Sequence, residues 1–242
     1  NLNNLFQNFC KKNNLEINTY QLTIIDELKN YYNSNFNKSF LNKFFSKNNS
    51  KPAFYLHGDV GVGKTMILDF FFDLIEEKKL RKHFNEFMLS FHDFAYERKE
   101  KNEENIINLF AKDLKLKTKL IYFDEFQVTN IVDAMILGKL FEQIFKQDIK
   151  IILTSNIKIS ELYKDGLQRD QFKPFIKIMK DQSIEYELKI EDDYRKSNNN
   201  KMERYFYPLN QETNFRINKF FRTITKDKYQ SLISINIKGR DF

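Results

Sequence analysis

One cysteine among 242 residues, Cys10, excludes an internal disulfide, and three scattered histidines, His57, His83 and His92, offer it no metal-ligand spacing. No Cys/His metal centre is therefore expected. No run approaches the roughly 18 apolar residues of a membrane-spanning helix. The first twenty residues, NLNNLFQNFCKKNNLEINTY, contain neither the apolar h-region nor the small-residue cleavage site of a signal peptide. These absences predict a cytoplasmic or otherwise reducing setting. The chain opens on Asn1 and closes on Phe242 just after a strand-like alternation, SLISINIKGRDF, and so reads as a fragment. Glycine is also scarce, yet three of the six, Gly58, Gly61 and Gly63, fall within six positions.

What is present suits a folded protein. Hydrophobic residues make up 41% of the chain, enough to bury a core, and the length accommodates one domain with a smaller appendage. The net charge is +7, but residues 196–242 hold ten Lys/Arg against four Asp/Glu, leaving only +1 for residues 1–195. Two readings of that basic end stay open: a bias toward Lys and Asn that runs through the whole chain, or an anion-binding face.

Asn18 followed by Gln21 matches a helix-capping box, after which Leu22, Ile25, Leu28 and Tyr32 recur at helical spacing. A second helix is expected to carry Phe36, Phe40, Leu41 and Phe44. The linker-like SKNNSKP, residues 46–52, ends on a proline that discourages helix, and separates an N-terminal helical segment, 1–50, from a core over 51–195. Short apolar segments with sharp ends predict strands at 53–57, 120–124, 149–155 and 183–190, with a further strand at 81–86. Longer amphipathic stretches at 65–77, 105–115 and 131–146 predict helices. Strands alternating with helices imply an α/β fold, a parallel sheet covered on both faces. After Arg195 the pattern loosens, then suggests a helix near 214–223 and a terminal strand, a small incomplete unit over 196–242.

The glycine cluster lies in Gly58-Asp59-Val60-Gly61-Val62-Gly63-Lys64-Thr65, which satisfies G-x-x-x-x-G-K-[ST] between an apolar strand and an apolar helix. Glycines let backbone N–H groups close on a phosphate, and the helix N-terminus adds a favourable dipole. Lys64 then reaches the β- and γ-phosphates of ATP, and Thr65 places its hydroxyl on Mg²⁺. A second strand, Leu120-Ile-Tyr-Phe-Asp124-Glu125, ends in two acids where open α/β sheets bind ligands. Asp124 suits the Mg²⁺ shell, and Glu125 suits a general base for the attacking water. Acidic pairs also begin solvated loops, so it is the upstream glycine loop that favours the catalytic reading. A third strand ends in Asn156, a neutral group able to hydrogen-bond the γ-phosphate or a water without competing for the metal, though Asn is also an ordinary turn residue.

Glycine loop, Asp-Glu strand end and strand-ending Asn together resemble an AAA+ ATPase core. Longer segments narrow the resemblance: FDEFQVTNIVDAMILGKLFEQIF from Phe123, TSNIKISELYKDGLQRDQFKPFI from Thr154, HFNEFM from His83 and DYR from Asp193. These resemble the ZapE family of bacterial cell-division ATPases and its mitochondrial, AFG-one-like or lactation-elevated, branch, from about Asn18 to Arg240. The resemblance implies a three-layer α/β/α P-loop core followed by a small, truncated helical lid. It also implies Walker A roles for Lys64 and Thr65, Walker B roles for Asp124 and Glu125, and a sensor 1 role for Asn156. Arg169, in Gly166-Leu-Gln-Arg169, looks like an arginine finger that completes a neighbouring subunit's site; a local salt bridge with Asp165 or Asp170 is the alternative. Neither Arg216 nor Arg222 matches a sensor 2 motif. Phe87-Met88 is open to two readings, a pore-facing pair that grips a threaded polypeptide or ordinary core.

The function so implied is Mg²⁺-dependent ATP hydrolysis by a homo-oligomer, hexameric by resemblance, coupled to remodelling of protein partners. Those partners would be division-ring proteins in a bacterium, or respiratory subunits at a membrane and proteins under quality control in the mitochondrial matrix. Two alternatives come from other classes. One is a nucleotide-switched scaffold at a membrane or division ring. The other is a nucleic-acid remodeller of the helicase-loader sort, disfavoured because no helix-turn-helix or aromatic-interleaved basic stretch accompanies the basic end.

Overall fold

The structure is a computed structural model that describes residues 2–36, 50–98, 102–189, 236–237 and 240–241. Contacts divide the chain into two units, Asn1–Glu191 and Asp192–Phe242. In the first unit the elements run α1 (Leu2–Lys12), α2 (Thr19–Asn35), β1 (Ala53–His57), α3 (Lys64–Leu74), β2 (Lys79–His83), α4 (Phe84–Arg98), α5 (Glu103–Lys117), β3 (Leu120–Asp124), α6 (Ile131–Lys146), β4 (Lys150–Ser155), a 3₁₀ turn (Ile159–Glu161), α7 (Arg169–Gln182) and β5 (Ser183–Glu187).

The five strands form one parallel sheet in the order β2-β3-β4-β1-β5. Its three central strands read as continuous apolar runs because both of their faces are covered. Alternate residues divide between two cores. Ala53, Tyr55, Ile121, Phe123, Ile151 and Leu153 face a cluster built with α4, α5, α6 and α7. Phe54, Leu56, Leu120, Tyr122 and Ile152 face a second cluster built with α1, α2 and α3. The α/β/α layering expected from the sequence follows directly from this two-sided alternation.

Local chemistry sets the helix ends. The capping box of α2 forms: the Gln21 N–H donates to Asn18 Oδ1 at 2.8 Å, and the Asn18 N–H donates back to Gln21 Oε1 at 3.2 Å. Asn102 and Asn130 cap α5 and α6 through their side-chain oxygens. The N-terminal helices are built into the first unit. Tyr31 of α2 is fully buried, and its hydroxyl lies 2.8 Å from the Pro52 carbonyl and 3.2 Å from that of Ile151, tying α2 to the entry of β1 and to β4.

One expectation is corrected, and one open reading is decided. The strand expected over 81–86 runs from Lys79 to His83, and a helix begins at Phe84. Phe84, Phe87, Met88 and Phe91 fall at i, i+3, i+4 and i+7 and line one buried helical stripe. Phe87 and Met88 are 1% and 2% exposed, with the Phe87 ring 4.8 Å from that of Phe123, so this pair is core and not a pore-facing grip. The helix expected over Phe40, Leu41 and Phe44 lies outside the described residues; Phe36 is the C-cap of α2. The same holds for residues 193–195, for the helix near 214–223 and for Arg216 and Arg222. In the second unit the described residues are two short antiparallel strands, β6 (Asn236–Ile237) and β7 (Arg240–Asp241).

Candidate active site

The carboxyl ends of β1, β3 and β4 bring the sequence-predicted residues together. β1 stops at His57 and the chain turns through Gly58, Gly61 and Gly63 with φ of 151°, 81° and 96°, conformations that side chains disfavour. Gly58 has a second reason to be glycine, since a Cβ there would collide with the carbonyl of Leu188, just after β5. Gly63 is the N-cap of α3 and supplies no side-chain hydrogen bond to it. The first turn of α3 thus presents N–H groups without a side-chain cap, the arrangement that receives a phosphate.

Lys64 is buried, and its Nζ donates to the carbonyls of Gly58 and Asp59, both at 2.7 Å, and to Asn156 Oδ1 at 2.9 Å. Burial lowers its pKa from the ordinary lysine value, while Asp59, Asp124 and Glu125 oppose that shift. Asn156, from the end of β4, is thereby in contact with the lysine that follows β1. Of the remaining loop residues, Asp59 and Val60 are exposed and Val62 is buried in the second core.

Asp124 closes β3 with 6% of its surface exposed. Its Oδ1 accepts hydrogen bonds from Thr65 Oγ1 at 3.1 Å and Thr154 Oγ1 at 2.7 Å, and its Oδ2 accepts from Arg81 Nη2 at 2.8 Å. Burial alone would raise its pKa, but the bonds from Thr154, Arg81 and Thr65 hold the carboxyl below the usual range, so it stays ionised. Glu125 is exposed beside it at a left-handed φ of 54°, its N–H donating to Thr154 Oγ1 at 3.0 Å. The two acids and Asn156 line a cleft of about 460 Å³, together with His83, Phe84 and Gln127.

Thr65 and Asp124 are adjacent hard oxygen donors, a set that fits Mg²⁺, which binds through one or two protein ligands and fills its shell with phosphate and water. A guanidinium already stands on Asp124 Oδ2, so a cation is tolerated there. Arg169 is not joined to this cluster by hydrogen bond or ion pair. It opens α7, where its Nη2 donates to the Ser160 carbonyl at 3.0 Å, and its buried Nε has no protein partner among the described residues. Among the described residues Arg169 forms no salt bridge with Asp165 or Asp170, and Asp170 pairs with Lys173 at 2.6 Å. Gly166, three residues earlier, leaves no room for a Cβ against the ring of Tyr163.

Sequence reasoning missed Thr154 and Arg81. Thr154 hydrogen-bonds the Asp124 carboxylate and the Glu125 N–H, and its one signal in the sequence is a hydroxyl directly after the apolar run Ile151-Ile152-Leu153. Arg81 gives no local signal, because it reaches Asp124 from a neighbouring strand.

A glycine loop, its lysine and a hydroxyl–carboxylate pair converging at the carboxyl edge of a parallel sheet define a P-loop nucleotide-binding core. The chain belongs to the AFG1-like ATPase family, whose model matches residues 7–242. It is 42% identical over 146 residues to lactation elevated protein 1 homolog B of Danio rerio, covering 56% of this chain and 29% of that protein. It is 32% identical over 196 residues to cell division protein ZapE of Escherichia coli, covering 81% of this chain and 52% of that one. The chain thus spans about half the length, or less, of these curated relatives. Among solved structures, DnaI aligns with a TM-score of 0.47 at 14% identity, over 73% of this chain and 89% of DnaI. The DnaC helicase loader aligns with a TM-score of 0.47 at 10% identity, over 72% and 92%.

Proposed function

We propose that this chain is the hydrolytic core of an Mg²⁺-dependent ATPase that works as a homo-oligomer, hexameric in form, on protein partners. The observation that carries the reading is the contact of Lys64 with Asn156 beside the Thr65–Asp124–Thr154–Glu125 chain of hydrogen bonds. In this reading residues 51–195 form the core, the segment before it packs as helices, and residues 196–242 contribute to a lid.

Lys64 exchanges the carbonyls of Gly58 and Asp59 for phosphate oxygens, which a charged donor binds more strongly. Thr65 and Asp124 are the protein's ligands to Mg²⁺, and the bound ion supplies neutralising charge at the β- and γ-phosphates. Glu125 accepts the proton of the attacking water, its backbone pinned by Thr154 so that the carboxylate faces the cleft. Asn156 orients the water or the γ-phosphate as a neutral donor. Arg169 serves the site of a neighbouring subunit, where a guanidinium finger contributes about 10³- to 10⁵-fold in rate.

The partner class follows the relatives: ZapE is named for cell division, which makes a division-ring protein the proposed load in a bacterial setting. Phosphate release by the purified protein with ATP and Mg²⁺ tests the core. Glu125→Gln should lower release by about 10²- to 10⁴-fold while nucleotide still binds. Unchanged release in that variant sinks the assigned mechanism. The same ATP-bound variant separates a motor, which would lose its action on the partner, from a nucleotide-switched scaffold, which would keep it.

A further inference from the structure

We propose that Arg81 is a built-in counter-cation that occupies Asp124 before nucleotide arrives and so sets how much Mg²⁺ the site requires. The proposal rests on the reading of Thr65 and Asp124 as the ligands of a Mg²⁺–nucleotide complex.

Arg81 lies on the edge strand β2, in register with Tyr122 of β3, so both side chains stand on one face of the sheet. Its guanidinium carbon sits 4.9 Å from the Tyr122 ring centroid. Its Nη2 is 2.8 Å from Asp124 Oδ2 and 3.0 Å from Asp69 Oδ1 on α3. One nitrogen therefore hydrogen-bonds Asp124, at the end of β3, and forms an ion pair with Asp69, which the site does not otherwise use. Asp124 Oδ1 is already engaged by two hydroxyls, and Oδ2 is covered by the guanidinium. A divalent ion approaching this carboxylate meets a positive charge in its place. It displaces that charge without destroying it, because Asp69 and the face of Tyr122 provide a second seat. The side chain is 42% exposed, which leaves it room to withdraw.

Two opposing substitution effects follow. When a binding-competent state is only partly populated, the apparent affinity falls by the populated fraction. If the guanidinium covers Asp124 in about 70 to 90% of molecules, removing it lowers the Mg²⁺ requirement by about three- to tenfold. Removing the second seat does the reverse, because Arg81 is then left with Asp124 alone.

The experiment is a Mg²⁺ titration of the binding of a fluorescent, non-hydrolysable ATP analogue, read as half-saturating free Mg²⁺. Complexation of the analogue by Mg²⁺ in solution is common to all proteins compared, so differences between variants report the site. Arg81→Met, which keeps an unbranched stem over Tyr122, should lower the half-saturating value by about three- to tenfold. Asp69→Asn should raise it, and the Arg81→Met/Asp69→Asn double variant should lose that rise and follow Arg81→Met. Arg81→Lys, a milder change at the same position, should fall between native protein and Arg81→Met. A merely structural role for Arg81 would loosen the site and raise the requirement. An unchanged or raised value in the Arg81 variants, or an Asp69→Asn rise that persists in the double variant, overturns the proposal. Binding of the analogue that ignores Mg²⁺ in the native protein would instead defeat the reading of Thr65 and Asp124 as metal ligands, and this proposal with it.

Discussion

Two glycines of this chain make opposite demands on a methyl group. At Gly58 the backbone has a φ of 151° and a Cβ would strike the Leu188 carbonyl, a rigid backbone atom. Gly58→Ala should destabilise the protein by about 1–3 kcal/mol and weaken nucleotide binding, since strain and collision act together. At Gly138, inside α6, a Cβ would lie 3.6 Å from the Phe175 nitrogen, an ordinary contact. Gly138→Ala should therefore be neutral or stabilise by up to about 1 kcal/mol through helix propensity. Chemical denaturation of the pair checks both signs in one series. Residues whose placement follows from near neighbours, such as Gly58, Lys64 and Thr65 in the stretch from the end of β1 to the start of α3, were legible in the sequence. Asp124 and Asn156 were legible because each ends an apolar strand. Thr154 and Arg81 were not, because each acts on a carboxylate 30 and 43 positions away, and such pairing exists only once strands are aligned.

At the scale of elements, strands buried on both faces showed their limits sharply, and β1 and β3 span the residues expected of them. The edge strand β2 was misplaced because its sequence, KLRKH, is basic at most positions and Leu80 is its one apolar residue. The helix after it was missed because its first residues continue that strand without a break, and the amphipathic period emerges only over Phe84 to Phe91. Helix α7 was missed as well: it begins behind a left-handed Gln168 with no side-chain cap and contains Pro174, both of which obscure a helix in sequence. The buried stripe of α4 has a measurable weight. Phe87→Ala should cost about 3–5 kcal/mol, since the ring is 1% exposed against Phe110 and Phe123. Thermal unfolding measures it, and a native midpoint in that variant would restore the pore-facing reading.

For the whole molecule, the proposed oligomer gives Arg169 its use. Among the described residues its one hydrogen-bond partner is the Ser160 carbonyl, and in the proposed oligomer it serves the neighbour. Lys64→Ala and Arg169→Ala proteins should each hydrolyse almost no ATP. Mixed at equal concentration, random assembly pairs an intact nucleotide site with an intact finger at about a quarter of positions, so about a quarter of native activity should return. No recovery despite demonstrated co-assembly would assign the arginine to its own chain. Nothing in local sequence distinguishes these cases, because a finger acts across a boundary that a single chain does not contain.

The contact between Gly58 and Leu188 also has a mechanical meaning. The opening of the phosphate loop and the exit of β5 meet backbone to backbone, and the Leu188 N–H donates to the carbonyl of His57 at 2.8 Å. No flexible side chain lies between them to absorb play. The loop entry and the residue after β5 are therefore fastened by a backbone bond, so moving one without the other requires that this bond break.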